Sequence, residues 1–311
     1  MINKTDLTGG WRSLLATCSS TAFALAVALL CVTPLCLPAQ TPSHTEPDVE
    51  PSELSPNRLT GGGPVAARAL ANQINNPTTP LTMFQFRDVF APAVPGYDGP
   101  ANVIEFNPVF PIFPSRILPF LQLMKMTLPF PTTPNPGSQT GLGDISLFDV
   151  ATIKQSWGEW GLGPALVFPS ATSTALGQGK WQAGPAVALI YTGIKNLQIG
   201  AVAQNPISFA GDPGRPDANA LSITPTLTYN LPHGWFAGYS DFDWSFNWKN
   251  GGAATIPLGA QVGKIFQIGK VPVSLSLEAA WIPVRPSDSS VPHWFVGLEF
   301  TVIFKTKRTP H

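Results

Sequence analysis

The sequence predicts an all-β protein: a transmembrane, antiparallel, up-and-down β-barrel of about twelve strands, preceded by a disordered linker and a short helix. Three observations indicate this fold class. Residues 81–304 form a series of apolar or alternating runs, most of about nine residues or more, close to the length that a tilted strand needs to cross a bilayer. Long loops alternate with tight turns along this region. Charged residues make up only 12% of the 311 residues, about half their usual share in soluble domains.

Each predicted strand is a run of strand-forming residues between turn-forming ones. In chain order the runs centre on "TMFQFRDVF", "NVIEFNPVFPIF", "ILPFLQLMKMTLPF", "GLGDISLFDVATI", "WGLGPALVF", "WQAGPAVALIY", "NLQIGAVAQNPISF", "ALSITPTLTYNL", "WFAGYSDFDWSFNW", "TIPLGAQVGKIFQI", "VPVSLSLEAAWIPV" and "HWFVGLEFTVIF". Loops such as "APAVPGYDGPA" and "AGDPGRPDANA" are long, whereas "PSR", "TGIKN", "LPHG" and "QIGK" are tight. Bacterial outer-membrane barrels alternate in this way, with the short turns on the periplasmic side.

The alternation within the strands predicts which face is in contact with lipid. In "ALSITPTLTYNL", Leu221, Ile223, Leu227 and Tyr229 share one face, and serine and threonine share the other, because successive side chains of a strand point to opposite faces. A secreted soluble sheet protein is the alternative. A closed barrel leaves no unpaired strand edge in hydrocarbon, so we predict apolar side chains in lipid and polar ones inside.

The tight turn after this strand predicts a register for the next one. It pairs Leu231 with Phe236 and sets Tyr229 opposite Gly238, where the tyrosine ring would cover the glycine. The same register assigns a face to each residue of the following strand. It places Phe236, Phe242 and Trp244 in lipid, and Asp241 and Asp243 inside.

The N-terminal segment predicts export. Lys4 and Arg12 precede an apolar run that fits a secretory signal peptide over residues 1–39, cleaved after Ala39. An uncleaved membrane anchor is the alternative, but the run is short for a spanning helix and Pro34 interrupts it. All three cysteines lie inside this segment, so the exported chain has no disulfide or thiol chemistry.

The remaining regions flank the barrel. Residues 40–64 are rich in Pro, Ser, Glu and Gly and predict a disordered linker. Residues 65–80 predict a short helix and a lead-in segment, because Val65, Ala69 and Leu70 have helical spacing. The barrel is assigned to residues 81–304, and a basic tail follows at residues 305–311.

Polar residues at inward positions are the candidate functional residues. Arg87 and Glu299 would lie at similar height if the first strand pairs with the last, which predicts an ion pair across that seam. Inward polar groups either satisfy one another in a narrow interior or line a path that disfavours anions. The lumen-lining candidates are Arg87, Gln198, Gln204, Asp241, Asp243, Gln261, Glu278 and Glu299.

The sequence contains little that predicts an enzyme. His293 with Ser289 or Ser290 is the one nearby pair of hydrolase type, and such sequence neighbours are usually solvated loop residues. Neither the dinucleotide fingerprint nor the phosphate-binding loop is present, and no cluster has metal-ligand spacing. We therefore predict no enzymatic activity, no cofactor and no metal. A net charge of zero argues against nucleic acid as a partner.

Several segments resemble a known family. They are "NQINNPTTPLTMFQF", "TGLGDISLF", "GLGPALVFPSATSTALGQGKWQAGPAVAL", "ISFAGDPGRPDANALSITPTLTYNLPHGW" and "IPLGAQVGKIFQIGKVPVSLSLEAAW". In order and spacing they are similar to the outer-membrane barrels labelled phenol meta-pathway (MetA) degradation proteins, some of which carry the misapplied label neuromedin U. The resemblance implies an association with aromatic-compound degradation and uptake, with no catalytic residues. The chain departs from that pattern where "KTKRTPH" follows Phe304, since a terminal aromatic is the usual assembly signal.

These observations predict a protein of the bacterial outer membrane. Its expected partners are the lipid bilayer, the barrel-assembly machinery during biogenesis, and a small-molecule solute. The predicted function is a passive channel or uptake porin for small aromatic or hydrophobic molecules. The alternative is a structural or binding barrel with an occluded lumen and no transport.

Overall fold

A computed structural model of the chain describes residues 80–116, 118–287 and 289–304. Most of this part is β-strand, because its long alternating runs satisfy their backbone groups by pairing with neighbours. The strands are β1 (Thr82–Ala91), β2 (Ala101–Ile112), β3 (Leu121–Thr132), β4 (Ile145–Gln155), β5 (Gly158–Phe168), β6 (Lys180–Ile194), β7 (Leu197–Gln204), β8 (Ile207–Gly211), β9 (Ala220–Asn230), β10 (Trp235–Tyr239), β11 (Trp244–Asn247), β12 (Ala253–Ile268), β13 (Val271–Val284) and β14 (Trp294–Phe304).

These segments form one closed antiparallel barrel. β1 pairs with β2 on one side and with β14 on the other, where Thr82 lies opposite Phe304. β7 and β8 both pair with β6 and are two parts of one interrupted strand. β10 and β11 likewise share the space between β9 and β12. The barrel built from the described residues therefore has twelve strands, which confirms the predicted fold class.

The connections differ between the two ends of the barrel. Long loops at one end span residues 92–100, 133–144, 169–179, 212–219 and 285–293. Most connections at the other end are short, at residues 156–157, 195–196, 231–234 and 269–270. The connection at residues 113–120 also lies at this end, and it is longer than the tight turn that "PSR" predicted. The first and last residues of the barrel, Thr82 and Phe304, lie at the short-turn end as well.

The outer face of the barrel is largely apolar, and the lipid-facing row of β9 was predicted correctly. Leu227 and Tyr229 of β9 are 44% and 47% exposed, and Trp294 of β14 is 53% exposed. Thr228 and Thr301, on the opposite faces of the same strands, are buried. A fully paired barrel with an apolar exterior is one of the two structures that can span a bilayer.

The predicted register between β9 and β10 is wrong by one residue. Phe236 pairs with Asn230, and Ala237, not Gly238, lies opposite Tyr229. The cause is a 3-10 turn of three residues, Pro232–Gly234, after which the Leu231 N–H donates to the Trp235 carbonyl at 2.7 Å. A slip of one residue moves every side chain to the other face. Phe236 is therefore buried inside and not in lipid.

A break between β10 and β11 makes the predicted position of Phe242 wrong as well. Residues 240–243 leave the wall, and the alternation resumes with Trp244 on the outer face opposite Ile223, as predicted. Phe242 is only 5% exposed and belongs to an interior apolar cluster, so its assignment to lipid is wrong. The break places Phe242 inside together with Asp241.

Some predictions concern residues outside the described part of the chain. These are the signal peptide over residues 1–39, the linker over residues 40–64, the helix near residues 65–74 and the tail over residues 305–311. In the described part, no helix is long and apolar enough to cross a membrane.

Candidate functional site

Arg87 is the centre of a charged cluster inside the barrel. It lies on the inner face of β1, where its Nε and Nη2 atoms donate to Glu278 Oε1 at 2.8 and 2.6 Å. Its Nη1 atom lies 3.8 Å from Glu105 Oε2. The Arg87 and Glu278 side chains are 13% and 6% exposed. Burial of this kind requires each charge to be compensated, and the forked guanidinium does so for two carboxylates.

The predicted ion pair between Arg87 and Glu299 is not formed. The two residues are direct partners across the β1–β14 seam, so their heights agree with the prediction. Glu299 instead accepts a hydrogen bond from Thr301 Oγ1 at 2.9 Å. The reason lies at Gly297 of β14, since a Cβ atom there would be 2.5 Å from Glu278 Oε1. Without that side chain, Glu278 reaches over β14 to Arg87.

The break in the barrel wall at residues 240–243 supplies the partner of the second Glu278 oxygen. The backbone N–H of Asp241 donates to Glu278 Oε2 at 2.8 Å, so both oxygens of this carboxylate are bonded. Gln261 of β12 donates to Asp241 Oδ1 at 3.1 Å and to the carbonyl of Tyr239 at 2.7 Å. The interrupted strand is thus held to the inner face of β12 and β13 by side chains.

An aromatic pair lies directly against the cluster. The Arg87 guanidinium carbon is 4.8 Å from the centre of the Phe242 ring, within cation–π range. The rings of Phe242 and Phe295 are 5.3 Å apart. These rings belong to an apolar cluster, at the long-loop side of Arg87, that includes Val94 and Val291 from two loops.

The other predicted residues lie on a second inner surface, formed by β7 and β9. Gln198 lies opposite Thr228, and Gln204 lies opposite Ser222. Asp243 is exposed, and its two oxygens accept hydrogen bonds from Ser222 Oγ at 2.6 Å and Thr224 Oγ1 at 2.5 Å. The structure therefore brings five of the eight predicted residues into the Arg87 cluster. They are Arg87, Asp241, Gln261, Glu278 and Glu299.

The prediction missed Glu105, Lys125 and Phe242. Glu105 shares the inner face of β2 with Val103 and Asn107 and lies opposite Arg87, so strand parity could have identified it. Lys125 occupies an inward position of β3 by the same argument. No comparable signal exists for Phe242, since its position depends on the wall break. With Lys125 included, the middle of the interior holds two cations against four carboxylates: Glu105, Asp241, Glu278 and Glu299.

Ser289 and His293 are not arranged as a hydrolase pair. The hydroxyl of Ser289 donates to the carbonyl of Pro286 at 2.6 Å and not to His293. Among the described residues, no group of three or more His, Cys, Asp or Glu side chains is placed to hold a metal ion.

Several solved structures are similar to this chain. An outer-membrane channel from Pseudomonas putida F1 is 12% identical, with a TM-score of 0.49 over 72% of this chain and 94% of the channel. The NanC porin is 11% identical, with a TM-score of 0.42 over 72% of this chain and 100% of the porin. The outer membrane phospholipase A of Escherichia coli is 12% identical, with a TM-score of 0.40 over 76% of this chain and 98% of the enzyme.

No protein-family model and no curated protein sequence matches the chain. The resemblance to the MetA barrels therefore stays a prediction. The location of the protein follows from its own structure, because an even-stranded closed barrel with an apolar exterior and loops that are long at one end is the form taken by bacterial outer-membrane proteins. The chain is an outer-membrane β-barrel protein.

Proposed function

We propose that the barrel is a passive channel for small solutes that favours cations over anions. The observation that carries this proposal is the excess of carboxylates on the inner face. Four of them surround the two cations Arg87 and Lys125, and Asp243 is exposed beside Ser222 and Thr224. Fixed negative charge in a narrow path raises the local concentration of cations and repels anions.

The size of the barrel limits the solute. Twelve strands spaced by about 4.8 Å and tilted by about 40° enclose a backbone cylinder roughly 24 Å across. Inward side chains on opposite walls reduce the free path to about 10 Å or less. The folded-in ring of Phe242 narrows it further beside Arg87. Small solutes therefore fit, and folded polypeptides do not.

A polar surface supports passage over occlusion. Ser222, Thr224 and Thr226 form an inward row on β9, and all three keep part of their surface exposed. Hydroxyl groups along one wall replace part of a solute's hydration shell as it moves. The charged cluster is built on β1, β2 and β13, and the rings of Phe242 and Phe295 lie against it.

Aromatic solutes are the proposed substrate class. The sequence resemblance to barrels associated with aromatic-compound degradation supports this choice. The carboxylates of the interior favour a positively charged substituent on the ring. A small aromatic ammonium compound combines both properties.

Planar bilayer recordings test the channel. We expect the purified protein to conduct and to give a reversal potential of cation-selective sign in a KCl gradient. Asp243→Asn should shift that potential toward zero, and Asp98→Asn, in the exposed loop at residues 92–100, should not. Silence of the full chain and of a chain lacking residues 40–80 would contradict the proposal and favour the alternative of an occluded structural or binding barrel.

Liposome swelling tests the solute class. We expect benzylammonium to enter protein-containing liposomes faster than benzoate, and to enter faster than an aliphatic ammonium compound of similar size. Equal rates for the aromatic and aliphatic cations would contradict the aromatic preference while leaving cation selectivity intact.

A further inference from the structure

The short-turn end of the barrel carries an excess of cations. Among the described residues, Glu159 is the one carboxylate at this end. The cations are more numerous and lie in or next to the turns and at the ends of the adjoining strands. Lys154 faces the lumen opposite Glu159 and is set apart from the others. The remaining cations are Arg116, Lys195, Lys264 and Lys270, and we call them the basic rim.

Carboxylates of the described residues do not neutralise the basic rim. None of its four residues forms an ion pair with a described carboxylate. Three of them are exposed, and Lys264 is half-buried. Like charges gathered at one end of a barrel without a described counter-charge favour an external anion.

The cations of the long-loop end are different. Lys180 and Lys249 both lie near Asp217, at 3.2 and 3.7 Å. Arg215 donates to the carbonyl of Thr174 at 2.9 Å, and Arg285 donates to the carbonyl of Val291 at 3.0 Å. Among the described residues, the cations of the long-loop end are therefore held by a carboxylate or a backbone carbonyl, whereas no such contact holds those of the basic rim.

The rim lies at the depth of lipid headgroups. Lys264 is on the outer face of β12, with its ammonium 5.0 Å from the centre of the Trp235 ring. Outward aromatic residues form a band at this end, where Tyr191, Tyr229 and Phe304 are 39%, 47% and 39% exposed. Such bands mark the interface between hydrocarbon and headgroups. The two-residue turns at 195–196 and 269–270 keep Lys195 and Lys270 close to it.

We infer that the basic rim binds the headgroups of anionic phospholipids in the periplasmic leaflet of the outer membrane. Lysine and arginine near a membrane surface attract acidic headgroups, and the attraction is screened by salt. A lipid surface fits better than a protein partner, because Lys195 and Lys270 lie in two-residue turns, which present no protruding contact surface, and Lys264 lies on the outer face of the barrel. The inference depends on the orientation of the barrel and not on whether the barrel conducts.

Quenching of tryptophan fluorescence by brominated lipids tests the inference. The full chain is reconstituted in phosphatidylethanolamine bilayers that contain either brominated phosphatidylglycerol or brominated phosphatidylethanolamine as a minor component. We expect roughly three- to five-fold enrichment of the anionic lipid around the protein at low salt. The enrichment should fall toward one in high salt.

Variants test whether the enrichment of the anionic lipid depends on the basic rim. Lys195→Gln with Lys270→Gln removes two turn cations without touching the barrel wall, and it should lower the enrichment. The matched double change to arginine should preserve it, and Lys249→Gln at the long-loop end should leave it unchanged. Equal quenching by the two brominated lipids would overturn the inference. An equal loss in the Lys249 variant would overturn it as well, because the effect would then follow from net charge alone.

Discussion

Arg87 and Glu278 form a two-bond ion pair inside the barrel although their strands are not neighbours. Arg87 belongs to β1 and Glu278 to β13, with β14 between them. The pair connects the first strand of the barrel to the penultimate one and therefore spans the seam where the chain closes. It also places a guanidinium against the ring of Phe242.

Removal of the carboxylate should destabilise the barrel. In Glu278→Gln the guanidinium retains only Glu105 at 3.8 Å, and the amide carries no charge to compensate it. We expect a loss of roughly 3 kcal/mol in the free energy of unfolding, since breaking a buried pair leaves an uncompensated charge. Urea unfolding in lipid vesicles, followed by tryptophan fluorescence, measures this loss. Asp98→Asn is the control and should change it by less than about 0.5 kcal/mol. An unchanged midpoint for Glu278→Gln would show that the pair does not stabilise the barrel.

Gly297 should be needed for the same ion pair. In Gly297→Ala the new Cβ atom would lie 2.5 Å from Glu278 Oε1, so the carboxylate must move away from Arg87. We expect Gly297→Ala to lower the free energy of unfolding. In the double variant with Glu278→Gln, the loss in this free energy should be clearly smaller than the sum of the losses in the two single variants. Val296→Ala, one residue earlier on the lipid face, is the control. Additive costs in the double variant would mean that the glycine acts independently of Glu278.

Charge on adjacent residues of β9 should have opposite consequences. Leu227 is on the lipid face and Thr226 faces the lumen beside Gly200. Leu227→Lys places an ammonium in hydrocarbon and should cost about 1 to 4 kcal/mol, depending on its depth. Thr226→Lys should be tolerated. The fraction that folds into vesicles, read from the heat-dependent gel shift, separates the two variants. Similar folded fractions would contradict the assigned sidedness.

The loop at residues 169–179 should loosen as the pH rises. The Asp144 carboxylate accepts hydrogen bonds from the backbone N–H groups of Ala171, at 3.2 Å, and Gln178. Burial raises the pKa of Asp144 above its ordinary value of 3.8, although these hydrogen bonds act in the opposite direction. Asp144 therefore binds its proton more tightly when the loop is packed than when the loop is released and the carboxylate is solvated. Packing should be strongest below pH 3.8 and should weaken as the pH rises through the pKa of the packed state.

Iodide quenching of a fluorophore on Ala175→Cys reports the release of this loop. We expect quenching to increase with pH above 3.8. The same label on a chain with Asp144→Asn should show no such dependence. A pH-dependent increase that survives this change would assign the effect to another group.

The amino-acid sequence alone determined the fold class and most of the sidedness. Strands such as β9 and β14 alternate with a period of two, and lipid requires the apolar set to face outward, so local pattern and solvent together fix the face of each residue. The same parity placed Arg87 and Glu299 on the inner face, and the expected pairing of the first strand with the last placed them at one height. It would also have identified Glu105, which lies opposite Arg87 on β2.

The tertiary structure alone decided the partner of Arg87 and the positions of Phe236 and Phe242. Alternation carries no information on how many residues a turn uses, and the three-residue turn Pro232–Gly234 shifted the β10 register by one. Alternation also does not show that residues 240–243 leave the barrel wall. Arg87 selects Glu278 because Gly297 leaves space over the intervening strand. That choice depends on residues from three strands brought together by barrel closure, and no local stretch of sequence contains all three.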